Sequence, residues 1–354
     1  MLDQVAAAFE RQDYREADQL VKELLKQSPD DPWVQFYLGR LREVSGKGSA
    51  AEEIYRQLLR TSTNPKLVAQ ARQGLQRLAT TEKERRQQAI AYAATNPANN
   101  SPGFMILEAV TGEVRNTVIQ NFARVMKVDA YTARGVVPSR GWRLYRAGPI
   151  GELQIYGREL RDAGVPSFWS ALPDLQKIQV FRVNYFQTTS PNAAVVCQKE
   201  TNQLGMLAFD WSEVKQRVEG ILPIFSQVVD LGYRDRPEWK EQVEDYAHFC
   251  DLHLPARHCI LRIHDGKYDF DQGTVVQGQH GTIRQRWNDL IADLNQHLPK
   301  TPAWIDFTAF SETLDDFVTP VSRLKPHIHL SRATDCYLDS AFHLYSTLVF
   351  LKNQ

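Results

Sequence analysis

Five side chains between positions 250 and 264 are of the types that hold a zinc ion: Cys250, His253, His258, Cys259 and His264. Thiolate and imidazole are zinc's preferred ligands, and Cys250-x-x-His253 has a spacing at which both can reach one ion. Strand alternation works against a shared site. It sets His258, Ile260, Arg262 and His264 on one side and Cys259, Leu261 and Ile263 on the other, so Cys259 reads as a core thiol. The expectation is buried thiols with surface histidines and no metal, with Cys250, His253 and His258 as the candidate ligands should one bind. Two tripeptides, His280-Gly281-Thr282 and His329-Leu330-Ser331, could bring two imidazoles together as acid and base, but His280 sits in the glycine-rich loop QGQHGT ahead of a helix. His327 and His329 alternate on a strand-like stretch and supply only two ligands. Asp306, Glu312, Asp315 and Asp316 are explained equally well by helix N-termini and solvent. Phosphate loops of the form GxxxxGK(S/T) or GxGxxG and the nucleophile motif GxSxG do not occur. No cofactor and no catalytic residue are expected.

The elements that must position these side chains come from the C-terminal half. Strands are predicted over 177–186, 193–199 and 205–211. A helix then runs from Trp211 through Val229 with Ser212 as its cap, and a second amphipathic helix covers 236–252. A hairpin over 258–270 turns at Asp265-Gly266, a dipeptide suited to positive φ. A helix over 283–298 and one further strand or helix complete an α+β domain over 189–354.

The 354 residues carry 42 basic and 42 acidic side chains and are 43% hydrophobic, enough for two or three compact units each with its own core. This balance excludes a disordered polyelectrolyte and argues against nucleic acid as the main partner. Basic side chains gather near Arg85 and over 134–161, acidic ones over 210–251 and 306–316. No apolar run approaches the ~18–20 residues of a membrane span, and the segment MLDQVAAAFERQD lacks the features of a secretory signal. A soluble, cytoplasmic protein is expected, with peripheral association with a membrane complex left open. The cysteines Cys197, Cys250, Cys259 and Cys336 make a poor disulfide framework and are expected to be reduced.

Residues 1–95 repeat. DYREADQLVKELLKQSPDD aligns with GSAAEEIYRQLLRTSTNP, placing Ala17 over Ala51, a spacing of 34 residues, with Val21 over Tyr55 and Leu24 over Leu58. With Tyr37-Leu38-Gly39, Gly46 and Pro29 near the matching positions, this segment resembles the tetratricopeptide repeat. It departs at Trp33, which is early, and at Val5 and Thr63, which stand where glycine and proline are usual. Residues 66–94 read as a capping helix. The resemblance implies a groove for a protein or peptide partner, with Trp33, Tyr37 and Arg40 as its expected contacts. The glutamine-rich, tryptophan-rich, cysteine-poor composition suggests a cyanobacterial source.

The turn formers of 96–103 read as a linker to a small α/β module over 104–188. Its predicted order is strand, helix, short helix capped by Asp129, strand, helix ending at Ala163-Gly164, and strand. That order, with Ala133 in the short helix, resembles the C-terminal domain of the ribosomal stalk protein and the fold of the Clp protease adaptor, implying a docking module. Arg134, Arg140 and Arg143 are its candidate partner contacts, since guanidinium groups bind carboxylates in two-point geometry. The expected fold class is multidomain α + α/β, helical hairpins followed by small α/β sandwich-type modules. The expected function is an adaptor, scaffold or assembly factor. The alternative is a metal-dependent or two-histidine hydrolase, because the His-x-Thr/Ser pair resembles the motif of two-histidine phosphoesterases.

Overall fold

The computed structural model describes residues 1–199, 202–231, 237–274, 281–330 and 336–352. They form two compact units, Met1–Tyr92 and Ala93–Gln354.

The first unit is helical, with α1 (Leu2–Glu10), α2 (Tyr14–Gln27), α3 (Pro32–Val44), α4 (Gly48–Thr61) and α5 (Pro65–Ala94). Short polar side chains set where the helices begin. The Asp13 carboxylate accepts from the Glu16 amide, and Asp31 accepts from the Trp33 and Val34 amides ahead of a helix whose first residue is Pro32. Ala17 and Ala51, the aligned pair of the repeat, are both fully buried. Each lies in one of two clusters: Ala17 with Val5, Val21 and Val34, and Ala51 with Phe36, Tyr55 and Leu67.

The second unit begins with β1 (Pro102–Glu108), α6 (Arg115–Met126), α7 (Ala130–Val136), β2 (Trp142–Pro149), α8 (Ile150–Asp162), β3 (Ser167–Ala171) and α9 (Leu172–Gln176). The three strands form an antiparallel sheet of order β2-β1-β3. Next come β4 (Gln179–Thr188), β5 (Ala193–Gln198), β6 (Leu204–Phe209), β7 (Gln216–Leu231), β8 (Pro237–Leu254) and β9 (Cys259–His264). The remaining elements are α10 (Ile283–His297), β10 (Ala303–Trp304), α11 (Phe307–Ser311), α12 (Val318–Val321) and α13 (Tyr337–Lys352). A seven-stranded mixed sheet has the order β10-β7-β8-β9-β4-β5-β6.

Alternation along β1 explains the layering. Met105 and Leu107 join α6 and α8 in one core, whereas Phe104 and Ile106 join a larger core containing Val218 and Phe249 of the second sheet and Phe342 and Leu348 of α13. Helix α13 therefore lies between the two sheets, and every residue from Ser340 to Phe350 is buried, the pattern of a helix apolar on all sides. The opposite face of the large sheet is covered by α10 through Trp287, Leu290 and Leu294.

Three sequence expectations are corrected here. The helices read over 211–229 and 236–252 are the antiparallel strands β7 and β8, preceded by a single turn at Trp211–Glu213 that is capped by Asp210, not Ser212. No hairpin returns from Asp265-Gly266, because β9 already has β8 on one edge and β4 on the other. The division at 188/189 falls between β4 and β5, which pair from Arg182–Gln198 to Thr188–Ala194, so 104–188 and 189–354 share one sheet. The architecture is multidomain α + α/β.

Candidate interaction site

The repeat residues expected to meet a partner are half-buried in the packing of the helices. Trp33 meets the Phe36 ring edge-on at 6.0 Å, Tyr37 stacks on Phe9 at 5.6 Å, and the Arg40 guanidinium lies 4.9 Å above the same Phe9 ring. The inner Arg40 Nε is buried with no hydrogen-bond partner, so the cation is held by the aromatic face. Burial raises the Tyr37 phenol above its ordinary value despite the opposing charge of Arg40. Behind these residues the α4 ring of Tyr55 is clasped between Gly39 and Gly74, where an added Cβ would lie 2.8 Å and 2.6 Å from ring carbons. The Tyr55 hydroxyl donates to Glu43 at 2.6 Å, and Arg77 donates twice to the same carboxylate at 2.7 and 3.0 Å. Burial alone would raise the Glu43 carboxyl, but these hydrogen bonds hold it below its ordinary value.

A tetratricopeptide repeat family model matches residues 8–75. These helices are tetratricopeptide repeats. The repeat thus spans α2 to α4 with the flanking turns of α1 and α5, and in other proteins such repeats take protein partners. Neither the curated proteins nor the solved structures contain a match to the chain. Among the described residues no helix is long and apolar enough to cross a membrane.

Outside the repeat, Arg134 and Arg140 are exposed, on α7 and on the turn that follows it. Arg143 is half-buried and donates to the Gly135 carbonyl at 2.9 Å, which draws it against the helix carrying Arg134. Three other arginines of this region have local roles. Arg115 binds the carbonyls of Val110, Val137 and Pro138, Arg146 pairs with Glu152 over the Tyr156 ring, and Arg161 covers Trp169.

The candidate zinc ligands are not brought together. Cys250 and His253 are three apart on β8 and so face opposite sides of the sheet: Cys250 joins the α10 core, and His253 meets Ser346 and Phe350 of α13. His258 is exposed in a left-handed turn before β9 begins. Cys259 is a core thiol as expected, but the histidines are not uniformly at the surface, since His253 and His343 are buried. The alternation expected of β9 holds in direction, with Cys259, Leu261 and Ile263 in the α10 core and Ile260 and Arg262 against α13, but both faces of this central strand are covered, so neither is a surface face. His280 and Ser331 lie outside the described residues. His327 sits in a left-handed backbone conformation with its ring 5.0 Å from that of His343, and burial with the charges of Arg262 and Lys325 lowers it to about 4. A ring surrounded by cations is a poor place for a metal ion. Asp306, Glu312, Asp315 and Asp316 are exposed around short helical turns.

The sequence reading missed a buried polar group that joins β8, β9 and α13. The Arg262 guanidinium of β9 donates to both Asp251 oxygens of β8, at 2.8 and 2.7 Å, and to the Pro326 carbonyl at 2.7 Å. It also lies 5.0 Å above the Phe342 ring. The Ser346 hydroxyl donates to Asp251 Oδ2 at 2.6 Å, and His253 Nε2 lies 3.0 Å from Ser346 Oγ. Since the serine has one proton and gives it to the carboxylate, Nε2 must donate to Oγ, leaving Nδ1 as the unprotonated nitrogen. That atom is the one left without a partner, and burial holds the ring neutral by lowering it to about 4. Serine, histidine and aspartate are present, but the serine proton points at aspartate and the group is sealed from solvent. Nucleophilic catalysis needs the opposite direction of transfer and an open face. The signal that could have found this group is one charge in each of two apolar strands, DLHL and ILRIH, of opposite sign.

Proposed function

We propose that this chain is a soluble, cytoplasmic adaptor or assembly factor whose tetratricopeptide repeat holds a protein or peptide partner while the unit 93–354 presents a second surface. The observation that carries this reading is the repeat itself, matched over residues 8–75 and built of helices capped and packed as the repeat requires. Trp33, Tyr37 and Arg40 are the partner contacts on the repeat. Arg134, Arg140 and Arg143 form a basic patch for carboxylates on the second unit. The order β1–α6–α7–β2–α8–β3 supports a docking role like that of the stalk-protein and Clp-adaptor folds, and the composition supports a cyanobacterial source. The adaptor reading is preferred to a metal-dependent hydrolase because Cys250 and His253 face apart.

The test is a comparative capture from a lysate of the source organism with the full chain and two charge-reversed variants, Arg40→Glu and Arg134→Glu/Arg140→Glu, each checked by circular dichroism. The expected result is one protein retained by the unaltered chain and lost by the Arg40→Glu chain. Identical captures by all three chains would refute the assignment of these surfaces.

A further inference from the structure

Strands β7 and β8 extend well past the sheet that holds them. β10 pairs with β7 only at Arg217 and Val218, and β9 pairs with β8 only from Phe249 to Leu254. Among the described residues, beyond the Ile221–His248 pair the two strands pair with each other alone, from Leu222 to Leu231 and from Pro237 to Ala247. A two-stranded ribbon in water is marginal by itself and gains stability when one face is covered.

The register assigns the side chains to faces. Residues directly opposite in an antiparallel pair share a face, and the pairs Pro223–Tyr246, Phe225–Val243 and Val229–Trp239 fall on the same one, together with Ile221. The extra residue Glu244, a bulge in β8, brings Tyr246 back into line with Val243. The result is an apolar stripe, crossed once by the Gln227–Glu241 pair, in which Trp239 is 72% exposed, Val229 54% and Tyr246 50%. Single exposed apolar residues are ordinary, whereas an aligned row on one face marks a contact surface.

Three observations choose the occupant. Both edges of the ribbon are blunted, by Pro223 without its N–H on β7 and by the Glu244 bulge on β8, so an added strand is disfavoured. Nearer the base the same face is already covered by a helix, α10, whose Trp287 and Leu290 pack with Cys250 and Leu252, so the stripe continues a surface shaped for helices. Among the described side chains of the ribbon, Glu219, Glu241, Glu244 and Asp245 are acidic and Lys240 is basic, in a chain whose net charge is zero. Two copies of this chain set face to face would bring like charges together.

We propose that the β7–β8 ribbon is a docking arm for a basic amphipathic helix of a protein partner, its apolar side on the Val229–Trp239–Tyr246 stripe and its cations against the acidic flanks. This surface is independent of the repeat, so either can fail without the other.

Calorimetric titration of the full chain tests it, using a synthetic leucine–lysine peptide with helical periodicity, a scrambled peptide of equal composition, and a leucine–glutamate analogue. The expected result is one-to-one binding of the leucine–lysine helix only, weakened by added salt and weakened about tenfold or more in a Val229→Ser/Trp239→Ser chain. These side chains are exposed, so the variant keeps its fold, and circular dichroism checks that it does. The proposal is overturned by equal binding of the scrambled peptide, by unchanged affinity in the variant, by absence of binding, or by sedimentation showing that the unaltered chain dimerises through this stripe.

Discussion

Asp251 and Arg262 are a fully buried ion pair whose members satisfy each other and, through Ser346 and Pro326, fasten β8, β9, α13 and the 324–328 segment together. Removing one member leaves the other charge uncompensated in the core. Asp251→Asn should therefore destabilise the second unit by about 3–5 kcal/mol, whereas Asp251→Leu/Arg262→Met should recover much of that loss. Urea unfolding followed by near-ultraviolet circular dichroism distinguishes the two, and equal stability of Asp251→Asn and the unaltered chain would contradict the account. At this scale the sequence was partly legible. Cys259 declared itself by sitting among aliphatic residues, but the partners of Arg262 lie 11 residues away on a neighbouring strand, at the Pro326 carbonyl and at the Phe342 ring of α13, and no local period links them. His253 and His258 looked alike in the sequence. Only the tertiary fold buries the first and exposes the second.

Among the elements, the helical hairpins were read well because their period, caps and close-packing alanines all agree. The ribbon was misread for a definable reason. Trp239, Val243, Tyr246 and Cys250 recur at intervals of four, three and four, the spacing of a helix face. In the structure the Glu244 bulge shifts the strand's alternation by one residue, and that shift produces the same spacing from a two-residue period. Helix packing in the repeat also yields a test. Gly74 lies inside α5, where alanine would ordinarily gain about 1 kcal/mol, yet its added methyl would meet the buried Tyr55 ring. Gly74→Ala should destabilise the first unit by about 1–3 kcal/mol through overpacking. Hydrogen exchange should show lost amide protection in α3 to α5, and a gain in protection there would mean that the ring has room to move.

For the molecule as a whole, acid should act chiefly on the second unit. His253, His264 and His327 are each lowered by burial to about 4, and His343 lies well below its ordinary value. Between the ordinary value of 6.5 and about 4 the unfolded chain binds protons that the folded chain refuses, so stability is full above 6.5 and falls as pH drops through that window. For His253, fully buried, the loss is on the order of 3 kcal/mol. His253→Gln keeps a donor for Ser346 and should flatten the decline by one proton's worth, as measured by urea midpoints between pH 7 and 4. An unchanged slope would show that His253 is not among the groups responsible. The joining of 104–188 with 189–354 in one unit was not legible from length or local pattern, since it depends on one helix packing against both sheets.

That helix also fixes the order of events during synthesis. Chains generally fold from the N-terminal side as they leave the ribosome, and the two cores of the repeat are built from residues 2–78. The two sheets of the second unit are translated before the layer that separates them, because residues 337–352 come after every strand they touch. Until those residues emerge, the faces of both sheets that α13 covers are open, so the second unit can complete its core only after the repeat has been made.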